Sequence, residues 1–349
     1  MKNAIKEFKI QETINSLIDN ELIFGAIVKI QSIDKKYDIK ISAGNLKEDD
    51  EFPIFAISQA FTAAVIIKLS EIKKLSLDDK ITKYLKEKEI QNIIKIKDKD
   101  FTKELTIRQL LTNNSGIKDY FNMNVSEDKT FFDDILLKDK NVELKDICEL
   151  LKKEEGSFVP GTKNKSEFSF ANFDLLGLIV EKVTNKNIEN AYNKYIIKPL
   201  DLKNTFLVKD NSKNNFIMML NNNSPIDIPL FLSSINSSAG IVTNVDDLNK
   251  FIRGYLEGKL FNTKIMDGNF NKMEYPVKYG IGVMKYSVPR LLSAFRYIPD
   301  LYGYNGCNGS FAFYSPEDKV FISGTINQIN DKMLVYKVIN KILNSVQSF

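Results

Sequence analysis

Residues 57–75 read ISQAFTAAVIIKLSEIKKL. Strong helix formers crowd this stretch, its apolar residues recur at helical spacing, and Ser76-Leu77-Asp78-Asp79 opens the next short segment, so it predicts a buried helix. On its N-terminal side, GAIVKIQSID (25–34) and KKYDIKISAG (35–44) alternate apolar and polar residues around the turn-prone Asp34-Lys35-Lys36. That is the pattern of a half-buried hairpin. On its C-terminal side, TIRQLLTNNSG (106–116), VELKDICELLKKEEG (142–156), ANFDLLGLIVEKVTNKN (171–187) and IENAYNKYIIKPL (188–200) are each amphipathic and end near Gly, Asn or Pro. They predict helices joined by loops. Strand-like alternation returns in YGIGVMKYSV (279–288), GSFAFYSPED (309–318) and KVFISGTINQ (319–328), and KMLVYKVINKILNSVQ (332–347) closes the chain as an amphipathic helix.

Strands at both ends flanking a helical middle predict an α/β (α+β) fold. One antiparallel sheet is built from both ends of the chain and flanked by the N- and C-terminal helices, with an inserted helical lobe. The expected division is residues 1–80 with 225–349 as a discontinuous α/β sandwich lobe, and 81–224 as the helical lobe. The opening MKNAIKEFKIQETINSLIDN mixes lysines and carboxylates throughout, which is expected of an amphipathic helix and not of an export signal. No window approaches the roughly 20 apolar residues of a membrane span.

Composition narrows the chemistry. The chain has no histidine, which excludes Ser-His-Asp and Cys-His catalysis, histidine-ligated zinc and imidazole proton shuttles. Its two cysteines, Cys148 and Cys307, are too few for a disulfide scaffold or a cysteine-rich metal site, so no metal and no cofactor are expected. A net charge of +4 is spread along the chain and carried almost wholly by lysine, which lacks the bidentate fork used on phosphates and bases, so no nucleic-acid partner is expected. The dense lysines of LKEKEIQNIIKIKDK (85–99) alternate with carboxylates and read as a solvated face.

In order and spacing, several segments together resemble the penicillin-recognising serine hydrolases, which include class C β-lactamases, DD-peptidases and related esterases. The resemblance runs from about residue 20 to residue 330. It rests on Phe52-Pro53-Ile54 leading into FTAAVIIKLSEIKKLSLDD, on LTIRQLLTNNSGIKDY, on FVPGT followed by FDLLGLIVEKVTNKN, on YIIKPLDLKNT, and on SSAGIVTNVDDLNKF. The later YGIGV and GYNGCNGSF look like the family's closing strands. The resemblance implies a β-lactamase/transpeptidase-like fold and three catalytic clusters: Ser-x-x-Lys at a helix start, a Tyr-x-Asn loop, and a Lys-Thr-Gly or His-x-Gly strand. Serine and lysine three apart share one helical face, so the amine can take the hydroxyl proton, while backbone N–H groups form the oxyanion hole.

This chain departs from all three. Counting without gaps from Phe61-Thr62-Ala63, the nucleophile position falls on Ala56 and the lysine position on Gln59. Ser58 lies off the face carrying those two, and its own i+3 residue is Phe61. Counting back from Leu175-Leu176-Gly177 places the Tyr-x-Asn cluster on Phe168-Ser169-Phe170; sliding by two gives Phe170-Ala171-Asn172, still without a phenol. The strand cluster reads Tyr304-Asn305-Gly306, and Asn113 stands where the family often has histidine. By the same alignment the oxyanion-hole N–H groups belong to Ala56 and Cys307.

With five catalytic positions replaced, no catalytic residue is expected. Instead Ala56, Gln59, Phe168, Phe170, Tyr304, Asn305, Gly306 and Cys307 are expected to line an apolar pocket with a few polar groups, the make-up of a small-ligand site. An equally economical reading is that the added rings simply fill the cleft. Cys307 reads as a small strand residue, Cys148 as core, and Phe121, Phe131 and Phe132 as packing. Two functions follow. One is a pseudoenzyme holding a peptide, a cell-wall fragment or a protein partner in the former cleft. The other is a β-lactamase, DD-peptidase or esterase-like hydrolase working through a rearranged site.

Overall fold

The computed structural model describes residues 2–347 apart from 20, 211–215, 269, 290, 293–296 and 330–332. Eight antiparallel strands form the main sheet, in the order Asn271–Lys272, Val277–Gly280, Val283–Tyr286, Leu301–Asn305, Ser310–Ser315, Val320–Thr325, Gly25–Ser32, Asp38–Gly44. The late strand Val320–Thr325 pairs directly with the early strand Gly25–Ser32, Ile27 lying opposite Thr325 and Ser32 opposite Val320. The two ends of the chain thus share one sheet.

Period-two alternation gives each strand two destinations. Val28, Ile30, Phe311, Phe313, Val320 and Ile322 point to one face, where they pack with Ile10 and Ile14 of the helix Lys2–Asn15 and with Val335, Ile339 and Ile342 of the helix Leu334–Gln347. Their strand neighbours Ile27, Tyr304, Ala312 and Phe321 point to the other face, into a larger core continuous with the helical middle of the chain. The helix Val245–Leu256 lies on this second face, against strands 25–32, 310–315 and 320–325.

The helical middle contains Ile107–Leu111, Phe131–Leu137, Leu144–Leu151, Phe170–Thr184 and Ile188–Tyr192. Local chemistry sets several of their ends. Thr106 with Gln109, and Thr130 with Asp133, close reciprocal capping boxes, and Phe170–Thr184 stops at Asn185, which takes the left-handed conformation at φ 53°. The helix expected over 57–75 is a 3-10 turn, Phe55–Ile57, followed by the α-helix Ser58–Glu71. It ends before 75 because the chain turns left-handed at Lys73 (φ 56°).

A three-stranded sheet that the sequence reading does not contain joins Phe52–Pro53, Ile241–Thr243 and Phe206–Leu207, with 241–243 in the middle. Its strands are two or three residues long, too short to show alternation. Among the described residues, no helix is long and apolar enough to cross a membrane.

Candidate functional site

The short segment 52–58 sets the geometry. Phe52 and Pro53 pair with strand 241–243, the Ile54 N–H donates to the Ile241 carbonyl at 3.0 Å, and the Ile241 N–H donates to Ser58 Oγ at 3.2 Å. From the sheet side, Asn308 Nδ2 donates to the Pro53 carbonyl at 2.6 Å and Ser310 Oγ to the Ile54 carbonyl at 3.2 Å. The turn comes so close that a Cβ on Gly306 would lie 2.7 Å from the Ile54 oxygen, so only glycine fits there. The 3-10 turn carrying Ala56 therefore rests against strands 301–305 and 310–315. Phe55, immediately before Ala56, sits at φ 43°, a left-handed conformation that is strained for a bulky aromatic residue.

Ala56 is 4% exposed, and Ser58 and Gln59 are fully buried. The Ser58 hydroxyl serves the backbone of strand 241–243. Gln59 has no hydrogen-bond partner for either its amide nitrogen or its amide oxygen. Each such buried, unmatched polar atom costs about 1–3 kcal/mol.

The helix Phe170–Thr184 packs on Ser58–Glu71 and presents its first turn to the same region. Phe168 is partly buried and Phe170 is 3% exposed. Their rings meet edge to face at 5.0 Å; Phe170 stacks on Phe121 at 3.8 Å, Phe121 on Phe132 at 4.8 Å, and Phe132 meets Phe55 edge-on at 6.3 Å. A continuous run of rings thus connects position 168 with the residue preceding Ala56, and Phe121 and Phe131 are buried within the same packing. Asn172 is buried and donates to Asn113 Oδ1 at 2.7 Å, while its own Oδ1 accepts from Ser115 Oγ at 2.7 Å. Asn113 is itself buried and lacks a partner for Nδ2.

On the strand side, Tyr304 is fully buried and accepts a hydrogen bond from Tyr279 Oη at 3.3 Å. Burial holds its phenol well above the ordinary tyrosine range, so it is no base at neutral pH. Asn305 is a correction to the pocket expected from the sequence. As the neighbour of Tyr304 in a strand it faces the opposite side of the sheet, where its Oδ1 accepts from Tyr336 Oη of the C-terminal helix at 2.9 Å. Cys307 is partly buried against the larger core, Cys148 is buried, and neither is in a disulfide. Burial raises the Cys148 thiol to about 11.

The arrangement therefore brings Ala56, Gly306 and Cys307 close to one turn and fills the neighbouring space with rings. Of the hydroxyls described there, Ser58 serves the backbone of strand 241–243 and the Tyr304 phenol stays protonated at neutral pH. Among the described residues no group of three or more His, Cys, Asp or Glu side chains could hold a metal ion. Sequence reasoning missed Phe55, whose backbone strain no pattern encodes. It also missed Asp174, which accepts from Ser238 Oγ at 2.5 Å and Tyr120 Oη at 3.0 Å and whose carboxyl is raised to about 7 by burial. A signal for Asp174 exists, since a carboxylate inside FANFDLLGLIV lies on a helix apolar on nearly every side.

Comparison with known proteins places residues 36–334 in a match to the family described as Beta-lactamase. Over 227 residues the chain is 28% identical to Protein flp of Staphylococcus aureus, covering 64% of this chain and 41% of that protein. The chain spans less than half the length of the curated relatives it matches. Among solved structures, a D-stereospecific amidohydrolase from Streptomyces sp. superposes with a TM-score of 0.76 at 24% identity, covering 95% of this chain and 97% of that one. The D-amino acid amidase from Ochrobactrum anthropi SV3, complexed with L-phenylalanine amide, gives a TM-score of 0.79 at 17% identity, covering 99% of both chains. At these identities the two structures speak for the fold alone.

Proposed function

Because the chain belongs to the beta-lactamase family, we propose that it is a non-catalytic member, a pseudoenzyme that recognises a peptide, a cell-wall fragment or a protein partner at the rim of the former cleft. The observation that carries this reading is the pair Ala56 and Gln59. The nucleophile position holds a methyl group, the base position holds an amide that cannot take a proton, and both are buried. Catalysis by such a unit is grossly non-additive, so loss of the nucleophile alone removes most of it. Ala56, Gln59, Phe170, Tyr304 and Gly306 are buried, which leaves Phe168 and Cys307, with Asn305 on the opposite face of the sheet, as the partly accessible members of the expected site.

The alternative, hydrolysis through a rearranged site, needs an activated hydroxyl. Ser58 is buried and bonded to a backbone N–H, and the Tyr304 phenol is held far from ionisation by burial. Intact-mass measurement after incubation with penicillin or a fluorophosphonate is expected to return the unmodified mass. A covalent adduct on any serine would sink the proposal, and one on Ser58 would show that the nucleophile position has been misplaced by two residues.

A further inference from the structure

Lysines lie side by side at one edge of the main sheet. Lys272 is paired with Lys278, and Lys278 with Lys285, so their side chains leave one face of three adjacent strands, about 5 Å apart from strand to strand. Lys165 bridges Lys272 in parallel and extends the row. Like charges set directly opposite one another repel, and only the two ends of the row are relieved. Lys285 pairs with Asp300 at 2.6 Å, and Lys165 lies over the Phe158 ring at 5.8 Å. Lys272 and Lys278 are exposed and, among the described residues, have no acidic partner. The surrounding sequence repeats the imbalance. Residues 275–299, bounded by Glu274 and Asp300, hold Lys278, Lys285, Arg290 and Arg296 and no carboxylate. Removing those four from the 49 Lys+Arg of the chain leaves 45, equal to its 45 Asp+Glu, so the net charge of +4 that reads as dispersed is matched by this one stretch.

The same strands end in apolar side chains. The Ser287 N–H donates to the Pro276 carbonyl at 3.2 Å, which sets the turn 273–276 beside the loop that follows strand 283–286. Tyr275 projects from that turn, 62% exposed. In the loop the Leu292 N–H donates to the Pro289 carbonyl at 2.9 Å, closing a turn on which Leu291 and Leu292 stand 75% and 66% exposed. Lys278 and Lys285 are the second pair from this end of their strands, Val277 and Tyr286 being the last, so the basic row lies just behind the apolar tip. A single exposed leucine is ordinary. Two adjacent ones, beside an exposed tyrosine and lysines without counter-charges, have the make-up of a surface that enters a lipid interface.

We propose that this end of the sheet docks on an anionic lipid bilayer, with Leu291, Leu292 and Tyr275 entering the interface and Lys272 and Lys278 meeting the headgroups. A soluble acidic polymer would satisfy the lysines but leave the leucines in water, so the bilayer is the occupant that fits the whole surface. The surface is independent of the pseudoenzyme reading, since it shares no residue with the former cleft.

Co-sedimentation of the full chain with vesicles of equimolar phosphatidylserine and phosphatidylcholine tests it, against vesicles of phosphatidylcholine alone. Binding to the anionic vesicles is expected to be at least about tenfold tighter than to the neutral ones, and to weaken as salt is raised. Lys272→Gln with Lys278→Gln is expected to weaken it about tenfold or more, since each lysine near such a surface contributes roughly fivefold. Leu291→Ser with Leu292→Ser is expected to weaken it at least about tenfold. All four side chains are exposed, so neither pair of changes endangers the fold. Because the chain has no tryptophan, Leu292→Trp supplies a sole reporter, whose emission is expected to move to shorter wavelength on anionic vesicles. No binding, equal binding to neutral vesicles, undiminished binding after either pair of substitutions, or an unshifted Leu292→Trp emission would each overturn the proposal. Undiminished binding of the serine pair together with full competition by inorganic polyphosphate would assign the row to a soluble acidic polymer instead.

Discussion

Gln59→Met is expected to stabilise the protein by about 2 kcal/mol, whereas Gln59→Lys is expected to destabilise it by at least about 4 kcal/mol. The two side chains are similar in length to glutamine, so the difference is one of polarity. Methionine removes two buried polar atoms that have no partner and fills irregular apolar space with a flexible thioether. Lysine brings an ammonium to a position that is fully buried, where it must either remain charged without a partner or give up its proton at a cost of several pKa units. Urea denaturation at neutral pH measures both as a shift of midpoint at constant slope. A neutral or destabilising Gln59→Met would mean that an internal water satisfies the amide; an unperturbed Gln59→Lys would mean that the position has a route to solvent.

Asp174 sets the second large effect, which is one of pH. Its carboxyl is raised from 3.8 to about 7, first by burial and further by the charge of Asp119, against the opposing hydrogen bonds of Ser238 and Tyr120. The folded state therefore holds a proton that the unfolded chain has released, so stability falls as pH rises from about 4 to about 7. Between pH 5 and pH 8 the loss from this one group is about 3 kcal/mol. The window is clean because the chain has no histidine to titrate within it. Asp174→Asn should flatten the profile and be the more stable protein at pH 8. The amide is easily placed: its nitrogen can donate to Ser238 Oγ, whose own hydrogen can turn to the Ile235 carbonyl at 3.2 Å. Identical slopes for wild type and variant would show that Asp174 titrates as an ordinary carboxylate.

The fold was largely legible because its main elements are long enough to display their periods. The hairpin 25–44 alternates visibly and forms as read, and the apolar run after Ser58 is a buried helix. What escaped was short or non-local. The strands at 52–53, 206–207 and 241–243 pair across large separations with two or three residues each, and no local pattern marks them. At the site, counting along the chain carries no information on the directions of the side chains. Tyr304 and Asn305 were assigned to one pocket although adjacent strand residues must point apart, and the structure sends Asn305 to Tyr336. The failure at Asp174 is of another kind. Its neighbours in sequence announce burial, but the hydroxyls that receive it come from residues 120 and 238, which only the fold brings together.

The seam between segment 52–58 and the turn 306–310 is held by main-chain groups together with the side chains of Ser58, Asn308 and Ser310. None of those three is among the residues proposed to replace the family's catalytic groups. The hydrogen bonds of the frame therefore do not pass through the side chains of 56, 168 or 304. A substitution at Asn308 would strike the frame while touching no chemistry at all. The outline of this region is thus set by groups that keep their partners whatever side chains stand at 56 and 304.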